Sequence, residues 1–393
     1  MRNLALAVVR AILSLRKMDI PSRQVADGAR LRALITDAHV NTALTRLAAS
    51  LTGKVKLYLD QNYWILLRDA NLDGRGTSQI HSLLEALRQG VTAGNLVCPV
   101  AESTFFELMK QKDPTTRHAT VSLIDELSTG VCLRPHDERV LLEVRHLFRL
   151  GAGYSVESAE SHVWTRLAYI LGVFHPVLPH LEDSEEADIR RRFFDFMWSI
   201  PLARVVEQLD VSKRPFPDTG PVVELINAAN ERHAPSITTF RSLYLDEVRG
   251  ALDELVPAGL LALAELGRES GHDAPPSDIA SESKRRQLVH SLLYKALEKP
   301  QVTKALRTSC IHSTCFAALR WDKQRKLKPN DLLDFRHAAA AVGYCDGFLT
   351  EKPLRSLLCQ KHLGIGDIFA CKVMDSPTEA IQWLAARSGR TTA

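Results

Sequence analysis

"KVKLYLDQNYWILL", residues 54–67, is the stretch on which the reading of the fold turns. Val55, Leu57 and Leu59 alternate with Lys54, Lys56 and Tyr58, the two-residue period of a strand. The strand stops at Asp60, and a helical run begins with Asn62 near its start. An ionised carboxylate at the mouth of a buried strand is costly unless it is paired or hydrogen-bonded. Asp60 therefore has two readings. It is a helix cap or turn residue, or it is one member of an acidic site assembled from distant parts of the chain.

Working outward, the preceding segment is helical. In "VNTALTRLAASLTG", Val40, Leu44, Leu47 and Leu51 fall at helical spacing and Gly53 is the expected stop. Further back, "MRNLALAVVRAILSLRK" places Leu4, Val8, Ile12 and Leu15 on one helical face. Arg10 and Arg16 break its apolar run below the length of a signal sequence or membrane span. After residue 67 the pattern alternates. "HSLLEALRQGVTAG" is a helix, "NLVCPV" a strand, "ESTFFELMKQ" and "HATVSLIDELSTG" helices, and "VCLRP" a third strand. Such alternation predicts a parallel sheet with helices on its faces.

From about residue 137 to 325 the periodicity is helical, apart from a polar Ser/Pro/Gly-rich loop, "GRESGHDAPPSDIASESK". The α/β pattern then returns. "NDLLDFRHAAAAVGY" reads as a helix, "CDGFLT" and "IFACKVM" as strands, and "SPTEAIQWLAARSG" as a closing helix with Ser376 as N-cap and Pro377 at its first position. The expected organisation is a helical segment over 1–53, a first α/β half over 54–145, a helical insertion over 146–325 and a second α/β half over 326–393.

Composition is that of an ordinary globular chain. It has 393 residues, 45% hydrophobic and 24% charged, with a net charge of +4. Mild basicity permits a polyanionic partner without requiring one. Seven cysteines, an odd number without a repeating spacing, argue for free thiols and a cytoplasmic, reducing location. Cys310, His312 and Cys315 lack the second ligand pair of a structural zinc site.

Ligands of parallel α/β sheets bind beyond the carboxyl ends of the strands, so carboxylates expected there are the candidates. Asp60 ends the first strand. Glu102 and Glu107 ride the helix after the second, with Glu102 read as a first-turn charge. Asp331 and Asp334 share one face of a late helix that Asn330 is expected to cap, and His337 lies three residues further on. Asp346 begins the strand "CDGFLT", and Glu351 follows Thr350 at its end. Gathered carboxylates raise one another's pKa. A bound Mg2+ or Mn2+, which prefers hard oxygen ligands, reverses that penalty and activates water for attack on a phosphoryl group.

These motifs resemble the PIN-domain family of metal-dependent ribonucleases. "YLDQNYW" is similar to its first motif, "CPVAESTFFEL" to its second, with Glu107 matching the acidic position better than Glu102, and "NDLLDFRHAAAAVGYCDGFLTEK" to its third and fourth, with Asp334 at the third acidic position. Lys352 stands where many members carry the fourth acidic or amide side chain. Glu351 is one residue early, and Asp346 is the favoured substitute, as in a similar subgroup of bacterial PIN-like proteins. The resemblance covers residues 54–145 and 326–393. It implies a PIN-like α/β fold, a parallel sheet sandwiched by helices and split by a mostly α-helical insertion. It also implies hydrolysis of single-stranded RNA by metal-activated water, with toxin-like or defence roles as family precedents. Asp60, Glu107, Asp334 and Asp346 would hold Mg2+ or Mn2+, with Asn62, Asp331, Glu351 and His337 supporting or completing the set.

Lys323, Arg325, Lys326 and Lys328, just before the third motif, are candidate RNA-phosphate contacts. Arg190, Arg191 and Arg192 are a second such run, and the helical insertion is a candidate surface for a protein regulator. Tyr63, Trp64 and Phe106 are read as core before they are read as base-stacking residues. Two other readings stay open: a PIN fold without catalysis that binds nucleic acid or protein, favoured by Lys352, and a helical scaffold on an α/β platform.

Overall fold

The computed structural model describes residues 38–74, 76–155, 157–174, 183–209, 218–271, 279–299 and 304–388. The amphipathic helix expected over residues 4–15 and the centre of the Ser/Pro/Gly-rich loop lie outside them.

The protein is a mixed α/β fold built on a four-stranded parallel sheet flanked by helices. The first described helix, α1 (Ala38–Ser50), buries Val40, Leu44 and Leu47, the stripe expected from its spacing. Then follow β1 (Val55–Leu59), α2 (Gln61–Asp73), α3 (Ser78–Thr92), β2 (Leu96–Val97), α4 (Glu102–Lys110), α5 (Pro114–Ser128) and β3 (Val131–Leu133). The helical middle contains α6 (His136–Gly151), α7 (Asp183–Trp198), α8 (Leu202–Glu207), α9 (Gly220–His233), α10 (Phe240–Glu269), α11 (Ile279–Glu298) and α12 (Arg307–Trp321). One strand interrupts it, β4 (Trp164–Arg166), which pairs antiparallel with β3. Sequence periodicity did not show it, because three residues are too few to establish an alternation. The chain closes with α13 (Asp331–Tyr344), β5 (Gly347–Leu349), α14 (Lys352–Leu358), α15 (Ile365–Ile368), β6 (Lys372–Met374) and α16 (Pro377–Ser388). The apolar run "IFACKVM" thus divides. Its first residue ends a short helix, and only its last three form a strand.

Strand order is β2-β1-β5-β6, every pairing parallel. A parallel bridge between Val100 and Cys132 sets β3 beside the extension of β2. The chain therefore leaves β1 toward one side of the sheet and returns, nearly 300 residues later, to its other side. The direction of winding reverses between β1 and β5.

Both faces of the sheet are covered, so its strands are buried on both sides. Leu57, Leu59, Leu349 and Met374 point into one core with Trp64, Leu67, Leu87 and Ile124. Tyr58, Phe348 and Val373 point into the other, against Phe335, Leu354 and the run Ala338–Ala341 of α13. The alanines let α13 lie close on the sheet. Gly347 has the same function at one point in β5: a Cβ there would meet the Trp383 ring at 2.7 Å and Leu57 at 3.0 Å. A third core joins α6, α10, α11 and α12 through Val144, Val248, Leu252, Leu293 and Leu306, and α12 packs directly on α13. Tyr63 and Trp64 are buried, as read from their spacing. No helix among the described residues is long and apolar enough to cross a membrane.

Candidate metal centre

Asp60 stands at the carboxyl end of β1, beside the β1/β5 seam where the winding reverses. It is 6% exposed. It is the N-cap of α2, accepting the Gln61 N–H at 2.6 Å on Oδ1, while the Thr350 hydroxyl at the end of β5 donates to Oδ2. Both readings of Asp60 therefore apply: it caps a helix, and it faces other carboxylates.

α4 starts after Ala101 and carries Glu102 and Glu107 in different directions. Glu102 is buried and turned away from Asp60. It accepts the His136 N–H at the start of α6 at 2.6 Å and pairs with Arg336 at 3.2 Å. Burial raises its pKa against the pull of Arg336 and Arg139. Glu107 turns toward Asp60. Ligand atoms of Asp60, Glu107 and His337 all lie within 4.8 Å of one another.

His337 has no exposed surface. Its Nε2 lies 2.8 Å from Glu107 Oε2, its Nδ1 2.7 Å from the Tyr58 hydroxyl and 3.1 Å from Ser103 Oγ. The Tyr58 oxygen is 3.1 Å from Thr104 Oγ1. Burial acts to lower the His337 pKa, but Tyr58, Glu107 and Asp60 outweigh it and hold it well above the ordinary imidazole value. The ring thus fixes Glu107 from behind, as a partner that orients a carboxylate ligand does. Tyr58, Ser103 and Thr104 were not singled out in the sequence. Tyr58 alternates with Leu57 and Leu59, the one available signal that it faces the opposite core.

Asp334 lies in the first turn of α13. Its carboxyl is pushed up to about 7 by burial, then by the charge of Asp60, with Glu107 and Asp331 adding to it and His337 opposing. Glu351, at the rim where β5 ends, is raised by partial burial and by Asp60 and Glu107. The same field reaches Tyr63, whose phenol is pushed to about 12 by burial and by Asp375, Asp60 and Glu351. Asp60, Glu107 and His337 thus form one cluster whose charge acts on Asp334 and Glu351, and Asn62 lies in the first turn of α2.

Asp346 does not join them. It sits before β5, level with Lys56. The Lys56 N–H donates to its Oδ2 at 2.8 Å, and Arg387 lies 3.7 Å from Oδ1. Four strand residues, about 13 Å, separate that level from Thr350, so Asp346 occupies the opposite edge of the sheet. The expectation that it supplies the fourth carboxylate is corrected: Glu351 is the acid at the right end. Asp331 is also engaged elsewhere, accepting the Lys328 N–H at 2.7 Å and pairing with Arg325 at 3.1 Å.

The basic stretch forms the turn into α13. Lys323, Lys326 and Lys328 are exposed, and Lys326 pairs with Glu231 at 2.8 Å. Arg190 pairs with Glu186 at 2.5 Å within α7. Cys310 and Cys315 are buried free thiols on α12, and His312 packs edge-on against His136 and Phe316.

One carboxylate oxygen each from Asp60 and Glu107 and a ring nitrogen of His337, held at the end of β1 and on α4 and α13, could hold a metal ion. No protein-family model, curated protein or solved structure matches the chain, so the reading of this centre rests on its own geometry.

Proposed function

We propose that the protein is a metal-dependent endoribonuclease of PIN-like type. The observation that carries this reading is the cluster of Asp60, Glu107 and His337 at the carboxyl end of β1, where the winding reverses, close enough for its charge to act on Asp334 and Glu351. That edge is where open parallel sheets bind ligands. A Mg2+ or Mn2+ held by Asp60, Glu107 and Asp334 would supply activated water and neutralise charge on the phosphoryl group.

The chain's own residues set the stage for it. Thr350 and the Gln61 N–H fix the Asp60 carboxylate in one rotamer. His337, braced by Tyr58 and Ser103, does the same for Glu107. Asp334, its pKa held up by burial and by Asp60, would have to be ionised to act as a ligand, which would tie cation binding to pH. Lys323 and Lys328, exposed in the turn just before the helix that carries Asp334, are the residues this reading assigns to phosphates of a single-stranded RNA, with Lys326 shared with Glu231.

The test is cleavage of end-labelled single-stranded RNA with Mn2+, Mg2+ or EDTA, beside Asp60→Asn and Asp334→Asn. The reading requires metal-dependent cleavage that both variants lose. The His337–Glu107 contact favours a second reading, a non-catalytic PIN-like fold, because a charged imidazole compensates Glu107 without any metal. Absence of both cleavage and Mn2+ binding by calorimetry would select it.

A further inference from the structure

A polar cavity of about 620 Å3 opens where α1, α6, the end of β3 and the segment before β4 meet. That volume lies within the range of small-molecule sites, roughly 300–1,000 Å3. Arg46 and Thr45 of α1, Arg134 after β3, Arg145 of α6 and His162 line it. One acid, Glu157, is among the lining side chains, 3.3 Å from His162. Arg145 is neutralised by Glu265 at 2.7 Å.

Arg134 is the informative member. Its side chain is 4% exposed, and its Nε has no hydrogen-bond partner among the described residues. The nearest carboxylate oxygen, Glu138 Oε2, is 3.8 Å away and is itself without a hydrogen bond. Burial lowers the Arg134 pKa against the pull of Glu138. A guanidinium held dry with an unused donor costs stability that an acceptor arriving through the cavity would restore. The exposed Arg46 stands at the same cavity and forms its cationic rim.

We propose that this cavity binds a phosphate monoester of nucleotide size, with its dianion between Arg134 and Arg46. The planar fork of arginine matches phosphate oxygens in pairs. With Arg145 taken up by Glu265, the exposed Arg46 and the guanidinium of Arg134, whose one ion pair with Glu138 is long, still leave donors free for a phosphate. Neither Asp60, Glu107 and His337 nor Asp334 and Glu351 line this cavity. The proposal therefore stands whether or not the nuclease reading does. The monoester has two possible sources, a free nucleotide or the 5′-phosphorylated end of an RNA.

Calorimetry on the full chain in EDTA tests it with three probes: AMP, a 5′-phosphorylated trinucleotide RNA, and the same RNA with a 5′-hydroxyl. The expected result is binding of AMP, or of the phosphorylated RNA at least about tenfold tighter than its 5′-hydroxyl form. A charge-assisted hydrogen bond is worth about that ratio or more. AMP binding points to a free nucleotide, and a 5′-phosphate preference to an RNA end. Arg46→Glu, at an exposed position that leaves the fold intact, should weaken binding about tenfold, and Arg134→Met should abolish it. Failure of AMP to bind together with equal affinity for the two RNAs overturns the proposal, as does affinity unaffected by Arg46→Glu.

Discussion

Thr350 donates its hydroxyl to the Asp60 carboxylate across the seam between β5 and β1, joining residues 290 positions apart at the point where the sheet's winding reverses. Thr350 is fully buried, and the bond fixes the one carboxylate that also caps α2. Thr350→Val keeps the shape and removes the donor. The expected cost is about 1–3 kcal/mol of stability, because a buried carboxylate oxygen loses its partner. Mn2+ affinity should fall roughly tenfold or more, as when a ligand's orienting partner is lost. Urea unfolding and calorimetry measure the two effects. An unchanged Mn2+ affinity would mean that Asp60 is held by its helix alone.

Asp334 makes the metal-free protein less stable as pH rises. Its carboxyl is pushed up to about 7 from an ordinary 3.8. Between these values the folded state holds a proton that the unfolded state has lost, so stability falls with rising pH across that window. Asp334→Asn removes the effect. In EDTA at pH 8 the variant should be more stable than the parent, on the order of 2–4 kcal/mol. Added Mn2+ should raise the parent's melting temperature and leave the variant's where it was.

Asp346 and Glu351 make opposite predictions although five residues separate them. Asp346→Asn alters a hydrogen bond to the Lys56 N–H at the far edge of the sheet, so RNA cleavage and Mn2+ binding should stay within about twofold of the parent. A charge this far from the cation, and partly in water, contributes little. Glu351→Gln removes a charge felt by the site and should weaken Mn2+ binding about three- to tenfold. Loss of cleavage in Asp346→Asn alone would place the cation elsewhere.

Gly347→Ala tests the packing of α16 on the sheet. The added methyl would meet the Trp383 ring and Leu57, and neither is the free end of a flexible chain. Overpacking of this kind costs about 1–3 kcal/mol, read as a lower urea midpoint with an unchanged slope.

The acidic residues were legible in the sequence because the residues before them were. Leu57 and Leu59 alternate cleanly, so the strand's end, and with it Asp60, could be placed. Glu102 was read as a first-turn charge of α4, and motif resemblance chose Glu107 over it. Asp346 failed for a reason that spacing itself contains. It precedes a strand that Thr350 follows, and the two ends of one parallel strand cannot serve one site. The bracing of His337 by Tyr58 and Ser103 was illegible, since it joins β1, α4 and α13 through contacts that no local period encodes. The strand β4 was missed because tertiary pairing with β3, not its own sequence, makes it extended.

Because β1 is flanked by β2 on one side and β5 on the other, the sheet is completed by the last fifth of the chain. A ribosome adding about 5–20 residues per second needs on the order of ten to fifty seconds to travel from Asp60 to Asp334. During that interval β1 has one open edge, and Asp60 lacks Thr350, His337 and Asp334 although Glu107 is already made. Until Thr350 is made, the nascent chain cannot fix the Asp60 carboxylate as the folded protein does. The order of its strands works as a timer on the assembly of this cluster's surroundings.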